Sequence, residues 1–133
     1  MVAKNNASGE KATASTKPLW QKMFIKGGTV ALIGAPAGYD KLFEGSPAKV
    51  TTRGSGLADM VVLFVKDVAQ LHATLPSATG RLGPSGTLWV AYQKGGNELH
   101  RDSARKIVNQ YGYDGVAMVA VDDVWSAIRL KKA

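Results

Sequence analysis

The chain has 133 residues, the length of one domain with a single hydrophobic core. It has no cysteine, which excludes disulfides, thiolate zinc sites and cysteine nucleophiles. Seventeen lysines and arginines against ten carboxylates favour nucleic acid, acidic lipid or an acidic protein as partner, beside the simpler interpretation of a solubilising surface. No apolar run approaches the ~20 residues that a membrane-spanning helix needs, so we expect no membrane association.

Residues 1–17 are rich in Ala, Ser, Thr, Lys and Asn and contain no aromatic residue. Such a segment cannot bury enough apolar surface to offset the entropy of ordering, so we expect a disordered basic tail. Residues 18–133 are predicted to form one α/β domain. Because the N-terminal segment has no apolar signal-peptide core, the cytoplasm is the expected compartment.

The first half of the domain alternates between helix-like and strand-like patterns. The strand "TVALIG" is apolar on both faces, as in a central parallel strand covered by helices. The predicted elements are a short helix after Pro18, a strand over 29–34, a short helix around 38–44, a weaker strand over 49–52 and a strong buried strand over 58–65.

The second half continues the alternation and ends in two strands. A helix beginning near Asp67 carries an apolar stripe, and Pro76 is expected to kink or end it. The remaining predicted elements are a turn over 83–86, a strand over 87–93, a helix over 98–111 and strands over 115–121 and 126–131.

The connections predict the sheet topology. Alternating strands and helices indicate a three-layer Rossmann-like α/β sheet, mostly parallel, with right-handed crossovers. The four-residue link before the last strand is too short for a parallel crossover, so that strand must run antiparallel beside its predecessor. We therefore expect the strand order 2-1-3-4-6-5.

Three stretches, "VALIGAP", "ADMVVLFV" and "LGPSGTLWVAY", resemble the core of class I S-adenosylmethionine-dependent methyltransferases. More specifically, residues 18–131 resemble a small uncharacterised bacterial family, a domain of unknown function with the motifs A-P-x-G-Y, L-W-V and D-D-x-W-S. Here these motifs are residues 35–39, 88–90 and 122–126. The resemblance implies the fold and no activity.

The loop after the first strand departs from nucleotide-binding patterns. Pro36 stands where the dinucleotide fingerprint has its second glycine, and proline has no N–H to donate to a phosphate. No carboxylate lies between Glu44 and Asp59 to bind ribose hydroxyls. We therefore expect no cofactor and S-adenosylmethionine binding weaker than ~1 mM; another small or phosphorylated ligand stays open.

The ligand crevice of an open α/β sheet lies at the carboxyl ends of the strands, where the strand order switches direction. Here the switch is expected between the first and third strands. The candidate ligand-binding residues at this edge are Gly34, Pro36, Gly38, Tyr39, Lys66, Asp67, Lys94 and Asp122.

Each charged candidate also has a simpler interpretation. Asp67 suits a helix N-cap, Lys94 a solvated loop, and Asp122 a cap of the tight link. Trp125 suits the core better than a ligand platform. Two separated histidines without cysteine predict no metal site, and no catalytic residue is assigned.

The sequence thus favours a noncatalytic ligand- or partner-binding module on a degenerate methyltransferase-like fold. One alternative is a divergent S-adenosylmethionine-dependent methyltransferase whose loop accommodates Pro36. The other is a basic accessory protein that binds nucleic acid through its tail.

Overall fold

The computed structural model describes residues 18–54 and 56–133, so the predicted disordered tail over 1–17 lies outside the described residues. Ten elements follow one another along the described chain: α1 (Leu19–Lys22), β1 (Thr29–Ile33), a 3-10 helix (Tyr39–Phe43), β2 (Lys49–Thr51), β3 (Ala58–Val65), α2 (Val68–Gly80), β4 (Leu82–Gln93), α3 (Arg101–Gln110), β5 (Tyr113–Ala120) and β6 (Trp125–Lys132).

The strands of the described chain form one six-stranded sheet in the order β2-β1-β3-β4-β6-β5. Strands β1 to β4 are parallel, whereas β6 runs antiparallel to both of its neighbours. The predicted Rossmann-like order and the antiparallel C-terminal strand are both confirmed. The direction of chain progression reverses between β1 and β3, as expected.

Helices α2 and α3 cover one face of the sheet and form the helix-side core. Leu71 and Leu75 from α2, and Ala104 and Val108 from α3, are at most 1% exposed there. The spacing of four residues places each pair on one apolar stripe of its own helix. Both stripes pack on the inward side chains of β3 and β4.

The opposite face carries the aromatic-side core, which is covered in the described chain by the short α1 and the 3-10 helix. Leu19, Met23 and Phe43 pack there against the inward residues of β1 and β3. Trp89 and Trp125 are 0% and 3% exposed in this core. Trp125 is therefore a core residue, as its simpler interpretation held.

The expectation for Pro76 is wrong where it allowed the helix to end there, since α2 continues to Gly80. A proline inside a helix removes the N–H that would bond to the carbonyl four residues earlier, here that of His72. The Tyr111 hydroxyl lies 3.4 Å from this carbonyl oxygen. The same hydroxyl lies 2.9 Å from the Nδ1 atom of the His72 ring. This contact from outside the helix gives the carbonyl an alternative partner.

The predicted turn over 83–86 lies inside β4 as a bulge. Leu82 pairs with Ala58 and Thr87 with Met60, so five steps along β4 face two along β3. A Cβ on Gly86 would lie 2.8 Å from Leu82 Cγ. A side chain at Gly86 would therefore require the Leu82 side chain to move.

Substituting Trp125 by Ala should destabilise the domain by about 3–5 kcal/mol, because the buried indole leaves a cavity beside Phe64. Denaturant unfolding followed by circular dichroism measures the change. The adjacent Val124 is 48% exposed, so Val124→Ala is a matched control that should stay within about 0.5 kcal/mol of the unsubstituted chain. Equal unfolding midpoints for the two variants would contradict the assignment of Trp125 to the core.

Candidate functional site

The loop after β1 turns sharply at the point where the strand order reverses. Gly34 has φ 73°, and a Cβ on it would lie 2.8 Å from the carbonyl oxygen of Phe64. Both the dihedral angle and the close approach to β3 require glycine. Gly34 therefore fixes the start of the loop against the carboxyl end of β3.

A second turn ends the loop. The Pro36 carbonyl accepts the Tyr39 N–H at 3.1 Å, and Gly38 adopts φ 84° at the start of the 3-10 helix. A Cβ on Gly38 would meet no atom within 4 Å, so this glycine faces open space. Pro36 is compatible with the loop because its carbonyl, not an N–H, closes the turn.

Tyr39 joins this loop to the link between β5 and β6. Its hydroxyl donates a hydrogen bond to Asp122 Oδ2 at 2.6 Å. Its ring meets those of Phe64 and Trp125 edge to face, at centroid distances of 5.8 and 6.4 Å. The A-P-x-G-Y and D-D-x-W-S motifs, far apart in sequence, thus form one contact.

Asp122 is held in its ionised form. Burial raises the pKa of its carboxyl, but the hydrogen bond from Tyr39, the Trp125 and Val124 N–H groups and the charge of Lys94 together lower it below its ordinary value of 3.8. The two N–H groups donate to Oδ1 at 2.8 Å each. Asp122 therefore caps the tight link, as its simpler interpretation held, while Tyr39 occupies its second oxygen.

The charged candidates Lys66, Asp67 and Lys94 lie together around a cavity of about 430 Å³ between the ends of β3 and β4. Asp67 is the N-cap of α2, and its Oδ1 accepts the Gln70 N–H at 2.7 Å. Glu98 lines the same cavity, so two cations and two carboxylates surround it. Its other lining residues are Gln93, Gly95, Gly96, Asn97 and Leu99.

The candidates thus form two neighbouring groups rather than one. Gly34, Pro36, Gly38, Tyr39 and Asp122 belong to the loop and its anchor, and the remaining three line the cavity. Lys94 connects the groups, because its N–H donates to the Val124 carbonyl at 2.8 Å.

Sequence analysis missed Glu98 and Phe64 as site residues. Glu98 was placed in a helix that actually begins at Arg101. The Gly95-Gly96 pair, which extends the loop past residue 98, was the signal available. Phe64 fits the buried pattern of β3, and nothing local shows that its carbonyl meets Gly34.

The end of β2 supplies no carboxylate. The Thr51 hydroxyl donates to the Arg53 carbonyl at 2.8 Å, which closes a local turn. Asp59 lies at the other end of the sheet, where Oδ2 accepts the Thr29 N–H at 2.9 Å. Any ribose contact at β2 must therefore come from groups other than a carboxylate in the described chain.

Two further findings concern the described residues alone. No cluster of three or more His, Asp or Glu side chains in that part of the chain has the arrangement of a metal site. None of the helices described there has the length and apolar character to cross a membrane.

Comparison with known proteins places the fold. The chain matches no protein-family model and no curated protein. Among solved structures it resembles the ribosomal protein L11 methylase of Lactobacillus delbrueckii subsp. bulgaricus, with a TM-score of 0.56 and 12% identity over 84% of this chain and 73% of that one. The bacterial family of unknown function stays a prediction.

Two further structures that resemble this chain contain a cofactor or its product. One is the Synechocystis magnesium protoporphyrin IX methyltransferase with bound S-adenosylmethionine, with a TM-score of 0.54 and 12% identity over 85% of this chain and 74% of that one. The other is the Burkholderia thailandensis 1,6-didemethyltoxoflavin-N1-methyltransferase with S-adenosylhomocysteine, with a TM-score of 0.55 and 10% identity over 86% and 75%. These likenesses show a methyltransferase-like fold.

The expectation that S-adenosylmethionine is not a cofactor is therefore wrong. It rested on Pro36 and on the missing carboxylate after β2, whereas the fold is shared with structures that contain S-adenosylmethionine or S-adenosylhomocysteine. The physical reason lies in the loop: its turns depend on Gly34, Gly38 and the Pro36 carbonyl, so the proline does not obstruct the loop geometry.

Replacing Tyr39 by Phe should lower the melting temperature at neutral pH. The decrease in melting temperature should be smaller in acid. The lowered pKa of Asp122 contributes stability that is present above its unfolded value of 3.8 and is lost as pH falls through the folded value. Melting curves across that pH range measure the change.

Tyr92→Phe is the control, because no described carboxylate bonds the Tyr92 hydroxyl. The difference in melting temperature between Tyr92→Phe and the unsubstituted chain should stay constant over the acid range. A Tyr39→Phe effect that is equally independent of pH would refute the coupling to Asp122.

Proposed function

We propose that this protein is a divergent S-adenosylmethionine-dependent methyltransferase that binds its cofactor at the carboxyl ends of β1, β3 and β4. The observation that carries the proposal is the mixed-charge cavity between the ends of β3 and β4, at the same carboxyl edge of the sheet as the Gly34–Gly38 loop and the edge where ligands bind open α/β sheets. The likeness of the fold to methyltransferases supports it.

The charges around the cavity complement the methionine end of the cofactor. That end is a zwitterion, with an ammonium and a carboxylate group on one carbon. Lys66 and Lys94 can receive the carboxylate, and Asp67 and Glu98 the ammonium group. A cavity of about 430 Å³ is within the size range of small-ligand sites.

The glycine loop fits the cofactor on different grounds. Gly38 faces open space, so a ligand can approach its backbone closely. The loop is fixed at both ends, by Gly34 against Phe64 and by Tyr39 on Asp122. A loop already held in its turns loses little entropy when a ligand binds.

When bound, S-adenosylmethionine supplies an electrophilic methyl group on a sulfonium centre. The contribution of the chain is chiefly to bind and orient, since alignment of two reactants alone accounts for a large part of such a barrier. Lys66 and Lys94 orient the amino-acid end, and the Gly34–Gly38 loop limits where the remainder can lie. Asp122 stays committed to Tyr39 and the link, so we assign it to positioning the loop.

Isothermal titration calorimetry should show that S-adenosylhomocysteine binds the full chain with a dissociation constant of about 10–100 μM, or roughly −7 to −5 kcal/mol. 5′-Methylthioadenosine lacks the amino acid and should bind at least about tenfold more weakly, because each 1.4 kcal/mol lost is tenfold. Lys94→Gln should weaken the first ligand and leave the second unchanged.

Lys41→Gln is the matched control, because Lys41 is an exposed lysine of the 3-10 helix that does not line the cavity. It should leave both affinities unchanged. No heat of binding with S-adenosylhomocysteine near 1 mM would overturn the proposed function. Equal affinity for the two ligands would overturn the assignment of the cavity.

A further inference from the structure

A second cavity lies at the opposite edge of the sheet. It has a volume of about 510 Å³ and is formed where β4 begins, β6 ends and α2 ends. Thr87 and Gln93 mark the two edges on β4 and are six residues apart, or about 20 Å at about 3.3 Å per residue. The cavity is therefore separate from the proposed cofactor site.

Cations line this cavity without a carboxylate. Arg129, Lys131 and Lys132 from β6 take part, and none of the other lining residues is acidic. Asp114, the register partner of Lys131, already accepts a hydrogen bond from Asn109 at 3.0 Å. Among the described residues the only ion pair joins Arg101 and Asp102, so these three cations make no close ion pair there, and Asp114 is the carboxylate nearest in register.

Tyr113 also lines the cavity. Its side chain is largely buried, at 7% exposed, and its hydroxyl makes no hydrogen bond to another described residue. The hydroxyl is not one of the buried polar atoms without a partner, so it is accessible to solvent or to a ligand in the cavity.

The β4 bulge shapes the mouth of the cavity. Gly83, Pro84 and Gly86 all line it. The bulge adds three residues to β4, and Gly86 lies close to the Leu82 side chain at its start. Thr79 and Thr87 add hydroxyl groups to the lining. Cations, hydroxyls and a phenol together favour a tetrahedral oxyanion over a neutral or cationic ligand.

We propose that this cavity binds a phosphate group, presented by single-stranded nucleic acid or by a free nucleotide. Arg129 gives a planar guanidinium suited to two phosphate oxygens, and Lys131 and Lys132 add point charges at the mouth. The Tyr113 hydroxyl can donate from the helix-side face, where its register partner Lys132 also projects. Lys26, Lys49 and Arg81 precede or begin the parallel strands at the same edge and add positive charge for a nucleic acid backbone, with Asp59 as an intervening carboxylate.

The first experiment measures binding of a short fluorescent single-stranded RNA to the full chain by polarisation. The Lys131→Gln/Lys132→Gln variant should bind about 20-fold more weakly at about 0.1 M salt, because each lost contact on a single strand lowers the salt slope by about 0.7. Lys41→Gln/Lys106→Gln removes the same charge from exposed lysines outside the cavity and should change affinity less than about twofold.

The second experiment separates the two sources of phosphate. Inorganic phosphate and adenosine monophosphate, each against chloride at equal ionic strength, should shift the amide resonances of Gly83, Gly86 and Lys131. Tyr113→Phe keeps the ring and should weaken the phosphate titration several-fold. Tighter binding of RNA than of the nucleotide indicates nucleic acid as the source, and the reverse indicates a free nucleotide.

Either source supports the cavity as a phosphate site. Equal losses of RNA affinity in the two double-lysine variants would overturn the phosphate site, because affinity would then depend on net charge and not on the position of the lysines. Absence of amide shifts with every phosphate ligand would also overturn it. S-adenosylhomocysteine affinity should be the same in the cavity variants, so failure here and failure of the proposed function are separate results.

Discussion

The hydrogen bond from Tyr39 to Asp122 holds the edge of the sheet on which the proposed cofactor site depends. A 3-10 helix of five residues cannot stabilise itself, since its hydrogen-bond geometry is poor and its length is short. Tyr39 instead anchors it to the β5–β6 link and to the rings of Phe64 and Trp125. With Gly34 fixed against Phe64 at its other end, the intervening loop has two anchors on the same edge.

The two faces of the sheet are stabilised by different means. Two helices of 13 and 10 residues cover one face, whereas the described chain places on the other only a four-residue helix and the 3-10 helix. Large aromatic side chains there bury the area that helices bury opposite. Trp89 shows the cost, because its buried Nε1–H has no partner among the described residues. Such a loss is about 1–3 kcal/mol, comparable to what burying a large apolar side chain contributes.

The parts of the fold set by periodicity and chain length could be predicted from the sequence. Strand β3 has the predicted bounds, 58–65, because its apolar run is bounded on both sides. The antiparallel β6 followed from the length of one link. Contacts between distant segments could not be predicted: Tyr39 meets Asp122 across 83 residues, and Tyr111 supports α2 beyond Pro76. The expectation of no cofactor was wrong because it depended on missing side-chain contacts, whereas the turns of the loop depend on its backbone.

The charge distribution gives the two edges different chemistry. At the carboxyl edge, Lys66 and Lys94 line the same cavity as Asp67 and Glu98, so the lining suits a zwitterion better than a ligand of a single sign. At the amino edge Arg129, Lys131 and Lys132 line a cavity whose lining has no carboxylate, which favours an anion there. About 20 Å separates the edges, well beyond the distance at which substitutions usually couple and beyond the Debye length in physiological salt. The proposed cofactor site and the proposed phosphate site are therefore expected to bind independently, each unaffected by the charge at the other.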